Sequence, residues 1–414
     1  MHQSRWFLTI PAAIALVCAA TVSFALEGDP AAAKAKDSEP TPGWAKDRPK
    51  TDSAMKLAPV PAFPIPTAVA DLPTKKFKLP PGFKVETWAS GVLDARDLRE
   101  GDKGNVFVST LFVGNKVYVL PEKAVDGKRV PKVIIDKTPY PTGIEFYKGS
   151  LFFATNKKIV RYDNVEDRLD NLGEPSAVLT DKLPGGDDHS WKYLRVHDNK
   201  LYYNIGAPCN ICDPGEYAKI YRMNLDGSGN ETIAAGVRNT VGFDFDPKGG
   251  DLWFTNNGRD WFSEELPNDT LNHVKQPGKE NYGFPACHQG NIPDPEFGWG
   301  KSCDEFTKPV AFTGPHAGTL GLKFYTGKMF PKKYQGAMFI ARHGPWNRTK
   351  KYADVMVAFE DGKGGVKLEP FMTGFVENNT YLGRPVDFLV MKDGSLLVSD
   401  DHAGAIYRIS YAGK

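Results

Sequence analysis

The residue best placed to move a proton is His189, in LPGGDDHSWKYLRV, which stands just before a strand-like segment. A neutral imidazole at such a junction can take a proton from a substrate hydroxyl, although an ordinary hydrogen-bonding loop histidine would satisfy the same residues. Arg238-Asn239, in GVRNTVGFDFD, holds the next such junction. The guanidinium offers a planar fork for a carboxylate, and the amide offers both a donor and an acceptor. The pair suits an anionic, carbonyl-bearing ligand, with a salt bridge between neighbouring units as the alternative. The loop NNGRDWFSEELPND, Asn256 to Asp269, is rich in hard oxygen ligands and contains a glycine. It could suit calcium, which takes backbone carbonyls readily, but its spacing is not that of an EF-hand and solvated loop charges would read the same. ARHGPWNRTKKY, Ala341 to Tyr352, packs Arg342, His343, Trp346, Asn347 and Arg348 into a short run. Trp346 can stack on a flat ring while Arg342 or Arg348 neutralises acids on it; otherwise this is an exposed loop anchored by Trp346. Arg384, in GRPVDF, opens a later strand at the same kind of junction as His189 and Arg238. Three such junctions would point inward at one pocket.

The elements that must position these residues recur along the chain. A strongly apolar strand following a tight turn appears as GNVFV at Gly104, GSLFF at Gly149, NKLYY at Asn199, GDLWF at Gly250, GAMFI at Gly336 and GSLLV at Gly394. Glycine holds the turn five times and asparagine once, the two residues that most easily take positive φ in a hairpin. The spacings are 45 (104 to 149), 50 (149 to 199), 51 (199 to 250), 86 (250 to 336) and 58 (336 to 394). Propeller blades repeat at roughly 40 to 50 residues, so the chain reads as all-β, a six-bladed β-propeller, with an inserted region at about 261–319. Third strands follow as KIVRYD, KIYRMN and AIYRIS, and FKVETWA (Phe83 to Ala89) can supply the last blade's fourth strand and so close the ring. A sandwich or two barrels would not need this period.

Before the propeller, which is expected over 77–414, Arg5 precedes an apolar run from Trp6 to Phe24 ending in Ser23-Phe24-Ala25. This reads as a signal peptide, 1–25, cleaved after Ala25, and implies a periplasmic or secreted protein. Residues 26–76 are rich in Ala, Pro, Lys and Asp, too poor in large apolar groups to offset chain entropy, and read as a flexible or loosely docked arm. Of the five cysteines, four remain after cleavage: Cys209, Cys212, Cys287 and Cys303. Three pairings are possible; the local one, Cys209 with Cys212 and Cys287 with Cys303, suits an oxidising compartment, and a four-thiolate zinc site competes with it. Covalent c-type haem is excluded, because no histidine follows Cys212. With 52 Lys+Arg against 50 Asp+Glu, the chain has no overall field to hold nucleic acid or an anionic membrane surface. No later segment offers 18 consecutive apolar residues for a membrane span.

Taken together, the segments LPPGFKVETWA, the His189 stretch with LYYNIGAPCNIC, RNTVGFDFDP, NNGRDWFSEELPND with ENYGFP, ARHGPWNR and GRPVDF resemble the soluble pyrroloquinoline quinone-dependent sugar dehydrogenases, in particular the sorbosone dehydrogenase-like branch. The resemblance runs from about Leu79 to Tyr411. It implies a six-bladed propeller, as the spacing does independently, with pyrroloquinoline quinone and calcium as cofactors. His189 matches the family's catalytic base and Arg238-Asn239 its quinone-contacting pair. Gly258 and Arg259 match the two backbone carbonyls that hold calcium; the better-studied glucose enzymes have Pro where this chain has Arg259, and a carbonyl ligand survives that change. Arg342 and Arg384 sit near the cations that bind the cofactor's carboxylates, with Trp346 and Arg348 beside them.

The implied reaction is oxidation of a sugar, polyol-type alcohol or aldehyde hydrate by hydride transfer to the quinone, with an electron acceptor as second partner. Two other classes stay open at this point. One is a calcium-dependent lactonase or esterase, which would need side-chain carboxylates and amides from several blades around its metal. The other is a non-enzymatic binding propeller of the envelope.

Overall fold

The computed structural model describes residues 65–413 apart from 112 and 187, so the expected signal peptide and most of the expected arm, through residue 64, lie outside the described residues. Six four-stranded antiparallel sheets follow one another along the chain. Blade I contains Ala95–Glu100, Val106–Thr110, Val117–Leu120 and Lys132–Ile135. Blade II contains Gly143–Tyr147, Ser150–Ala154, Ile159–Tyr162 and Ala177–Thr180. Blade III contains Leu194–His197, Lys200–Ile205, Lys219–Asn224 and Glu231–Ala235, extended by the short parallel strand Glu280–Asn281. Blade IV contains Phe243–Phe245, Leu252–Asn256, Asn268–Val274 and Ala311–Pro315. Blade V contains Thr319–Phe324, Met338–Arg342, Asp354–Glu360 and Val366–Met372. Blade VI contains Pro385–Val390, Leu396–Asp400 and Ala405–Tyr411, and takes Phe83–Ser90 from the start of the domain as its fourth strand.

That last pairing, from Phe83 opposite Tyr411 to Ser90 opposite Ala405, fastens the two ends of the ring as the sequence suggested. All six recurrent turn residues, Gly104, Gly149, Asn199, Gly250, Gly336 and Gly394, have positive φ. At Lys148-Gly149 and Asp198-Asn199 both central residues do, the geometry whose twist matches paired strands. The 86-residue gap holds the third and fourth strands of blade IV, Asn268–Val274 and Ala311–Pro315, and the chain around them. The extra length lies at 257–267 and at 275–310, and the first strand of blade V begins at Thr319.

Each second strand is buried on both faces, and its alternation assigns side chains to two different interfaces. Val106 and Val108 pack toward blade VI with Leu389, Leu397 and Ile406, whereas Phe107 packs toward blade II with Ile144, Leu151 and Phe153. Every neighbouring pair of blades shares such an apolar cluster. The first strands contact one another in sequence from I to VI and back to I, so they surround a common axis.

Along that axis each blade contributes one charge of alternating sign: Arg99, Glu145, Arg195, Asp244, Lys323 and Asp387. Arg99 reaches Glu145 at 2.6 Å and Asp387 at 3.0 Å; Arg195 reaches Asp244 at 2.8 Å and Glu145 at 3.6 Å; Lys323 reaches Asp244 at 3.2 Å. Arg99, Glu145, Asp244 and Asp387 are buried and Arg195 and Lys323 mostly so, and their alternation leaves the ring electrically balanced, which such burial requires. Tyr193 donates to Asp387 at 3.1 Å. Both local disulfides are formed, Cys209–Cys212 and Cys287–Cys303, so the four-thiolate zinc alternative is ruled out by the pairing of all its ligands. The end of the arm is docked: the Thr67 amide donates to Ala403 and Leu72 is buried.

Candidate active site

In a four-stranded antiparallel blade, the loop entering the first strand and the loop leaving the second lie on the same face. All nine candidate residues fall in one or the other. His189, Arg238-Asn239 and Arg384 precede the first strands of blades III, IV and VI; Gly258 and Arg259 follow the second strand of blade IV; Arg342, Trp346 and Arg348 end or follow that of blade V. The charged ring occupies the second to fifth positions of the first strands, closing the axis beneath this face.

His189 holds a left-handed backbone (φ 43°), uncommon for a residue with a side chain. Its Nδ1 lies 2.7 Å from the carbonyl oxygen of Ala207. A carbonyl can only accept, so Nδ1 carries the hydrogen and Nε2 keeps the lone pair. Burial, and secondarily the positive charge of Arg238, push the imidazole pKa down to about 3, so the ring is neutral at physiological pH. The chain comes close here because residue 206 is glycine: a Cβ on Gly206 would fall 2.5 Å from the His189 Cβ. Trp191 stacks edge-on at 5.4 Å.

The Ala207 peptide links this imidazole to the next junction, since its N–H donates to the Arg238 carbonyl at 2.7 Å. Trp191 Nε1 donates to Asn239 Oδ1 at 3.1 Å, and Asn239 Nδ2 donates to Asn257 Oδ1 at 3.0 Å. Asn257 in turn donates to Asp269 and to the Thr319 carbonyl, while Asp269 also accepts the amides of Gly258 and Thr319. His189, Arg238, Asn239 and Gly258 therefore belong to one bonded assembly. The Arg259 side chain points away from it, donating to Asp294 at 2.6 Å and Glu296 at 3.2 Å. Asp294 also accepts from His288 at 2.7 Å, so the Arg259 side chain ties the loop to the inserted segment closed by Cys287–Cys303. Only a polar cavity of about 20 Å³, room for about one water, separates the 256–258 loop from that segment.

The arginines differ in what neutralises them. Arg238 pairs with Asp260 at 2.9 Å, Arg259 with Asp294 and Glu296, Arg342 with both oxygens of Asp354, and Arg348 with Glu265. Arg342 also donates to the Thr313 carbonyl and Arg348 to the carbonyls of Glu264 and Lys350, so most of each fork is committed to protein. Arg384 is the exception among the five: it donates to the carbonyls of His343 and Gly344, and among the described residues no carboxylate ion-pairs with it. Trp346 meets Trp261 edge-to-face at 5.0 Å.

Several members of this face were given no role by sequence. His343 Nε2 lies 2.8 Å from Asp401, which also pairs with Arg96; burial and the Arg384 charge hold the His343 pKa down to about 4. Asp260 holds Arg238 and accepts from Asn347 at 2.8 Å. Asn210 sits between the cysteines of CNIC, a motif whose spacing speaks only to sulfur chemistry; its amide contacts are visible only after folding. Ser190 Oγ and Asn347 Oδ1 are buried without a protein partner, beside His189 and the Asp260 carboxylate respectively.

Residues 197–343 match the family described as Glucose / Sorbosone dehydrogenase. A protein of Borreliella burgdorferi described only as uncharacterized is 31% identical over 371 residues, covering 83% of this chain and 93% of that protein. A calcium structure of a Trichoderma reesei carbohydrate-active enzyme of family AA12 superposes with a TM-score of 0.69 at 18% identity, over 81% of this chain and 97% of that one. The holo form of the pyranose dehydrogenase PQQ domain from Coprinopsis cinerea superposes with a TM-score of 0.65 at 18% identity, over 85% and 98%. The two superpositions establish the shared fold, and with the sequence matches they place the chain in the glucose/sorbosone dehydrogenase family.

Proposed function

We propose that the protein is a quinoprotein oxidoreductase that oxidises a sugar, or a related alcohol or aldehyde hydrate, using pyrroloquinoline quinone and calcium. The observation that carries this reading is the neutral, oriented imidazole of His189, joined through the Ala207 peptide to the Arg238-Asn239 junction. The residues present fit the two cofactors. Arg384 supplies a cation with no carboxylate of its own, Ser190 Oγ is an unused polar group beside the base, and the 258–259 loop offers carbonyl oxygens of the kind calcium accepts. When bound, the quinone would supply the hydride acceptor and calcium the Lewis acid that polarises it.

The chain's own part is positioning and proton handling. His189 Nε2 takes the hydroxyl proton of the substrate, and the Ala207 carbonyl stabilises the imidazolium that results by holding its Nδ1–H. Arg238, beside the base, disfavours that cation, which returns the proton readily. Arg384 holds negative charge at the far side of the face.

Reconstitution of purified apo-protein with the quinone and calcium, followed by a screen of aldoses with a dye acceptor, tests the proposal. The expected result is a near-ultraviolet quinone absorption that bleaches or shifts on adding sugar. A protein that takes up neither cofactor under these conditions would overturn it.

A further inference from the structure

The loop that offers the Gly258 and Arg259 carbonyls is gripped from two sides. On one side the Arg259 side chain reaches Asp294 of the inserted segment. On the other stands Asn210, buried between Cys209 and Cys212. Its side-chain amide pairs with the backbone of residue 260 as a neighbouring strand would. Asn210 Oδ1 accepts the Asp260 N–H at 2.7 Å, and Asn210 Nδ2 donates to the Asp260 carbonyl at 3.1 Å. The same Oδ1 accepts from Arg238 Nη2 at 2.8 Å, and the Asn210 carbonyl accepts from Arg238 Nε at 2.9 Å. One residue therefore fixes both the peptide following Arg259 and the guanidinium beside the base.

We infer that Asn210, braced by the Cys209–Cys212 disulfide, is a positioning residue for the calcium loop and for Arg238. This rests on the proposed function, because it presumes that the 258–259 carbonyls hold calcium. The physical reason is the order of the contacts. The Arg259 carbonyl belongs to the peptide whose nitrogen is Asp260 N, the atom that donates to Asn210 Oδ1, so the orientation of that peptide plane is set by the Asn210 amide. A carbonyl ligand cannot turn toward or away from a cation without breaking that bond. The disulfide closes a loop with only two residues between its cysteines, which restricts the backbone from which the Asn210 amide projects. Residues that orient metal ligands typically change metal affinity by roughly 10- to 100-fold when removed.

The test is calcium affinity of the full-length apo-protein by titration calorimetry, with quinone affinity by fluorescence quenching and the apo-protein melting temperature alongside. Asn210→Asp keeps the shape and the acceptor oxygen but loses the donor to the Asp260 carbonyl; Asn210→Ala loses both. The expected result is calcium affinity weakened about tenfold or more in both variants. In Asn210→Asp, whose new charge would stand against the Arg238 guanidinium, this should occur with the melting transition still cooperative. If the variants melt lower yet bind calcium and quinone as tightly as the parent, Asn210 is merely structural and the inference falls. If the parent itself binds no calcium, it is the proposed function that fails.

Discussion

The depressed pKa of His189 predicts an unusual acid limb in the pH–rate profile. An unperturbed histidine with a pKa near 6.5 is only about 3% neutral at pH 5, so a general base of that kind would lose roughly thirtyfold in rate between pH 7.5 and pH 5. With its pKa at about 3, His189 is about 99% neutral at pH 5. Lowering the pKa means that the folded state resists protonation while the unfolded chain does not. The protonated form is therefore avoided down to the folded value, and the stability linked to this group declines only as pH falls below about 6.5. The assay is kcat/KM of the reconstituted holoenzyme from pH 4.5 to 8, with a non-titrating dye acceptor and stability checked at each pH. The expected profile is flat on its acid side to pH 5. An acid limb with an apparent pKa of 6 to 7, absent from cofactor binding, would show that the ring is solvated and ordinary in the working enzyme, and the argument from burial and Arg238 would be refuted.

Other outcomes follow from the same geometry. His189→Ala should keep quinone binding and lose at least about a hundredfold in turnover, as measured by single-turnover reduction of the quinone; parallel loss of both would make His189 structural. Apo-protein dialysed exhaustively against chelator should recover activity with quinone plus calcium and not with quinone alone, and full recovery without calcium would remove the metal. Arg99→Met leaves buried Asp387 with no ion-pair partner among the described residues and Glu145 with only Arg195 at 3.6 Å. Urea unfolding should show about 3 kcal/mol or more of destabilisation, and an unchanged midpoint would mean the axial ring contributes little.

Much of the fold was legible because its signals are local. The positive-φ turn residue and the apolar strand after it recur in every blade, and the strand Phe83–Ser90 showed its alternation before its partner was known. The junction rule for His189, Arg238 and Arg384 was legible for the same reason, since position relative to a first strand fixes the face. What remained hidden depends on contacts distant in sequence. Asp354 neutralises Arg342 across a strand pair, and Glu265 neutralises Arg348 from 83 residues away, so equal-looking arginines have unequal charge to offer. The bounds of the insertion were blurred because Asn268–Val274 and Ala311–Pro315 are ordinary blade strands embedded in irregular chain. Asn210 was hidden by its neighbours, whose cysteine spacing draws attention to sulfur.

The unequal arginines also give the face a direction. In a six-membered ring, blade III lies opposite blade VI, so His189, which enters the first, and Arg384, which enters the second, stand on opposite sides of the axis. Between them the other candidate cations are offset by Asp260, Asp294, Asp354 and Glu265, and the charged ring below is balanced. On the proposed function, an anionic group of the ligand would be met by Arg384 at blade VI, while the atom that gives up its proton would approach His189 Nε2 on blade III. A small anion bound at Arg384 alone would leave the base unused. On the proposed function, a ligand set productively here needs acidity at one end and a reacting centre at the other, with Asn210 and Asp260 fixing the loop that lies between.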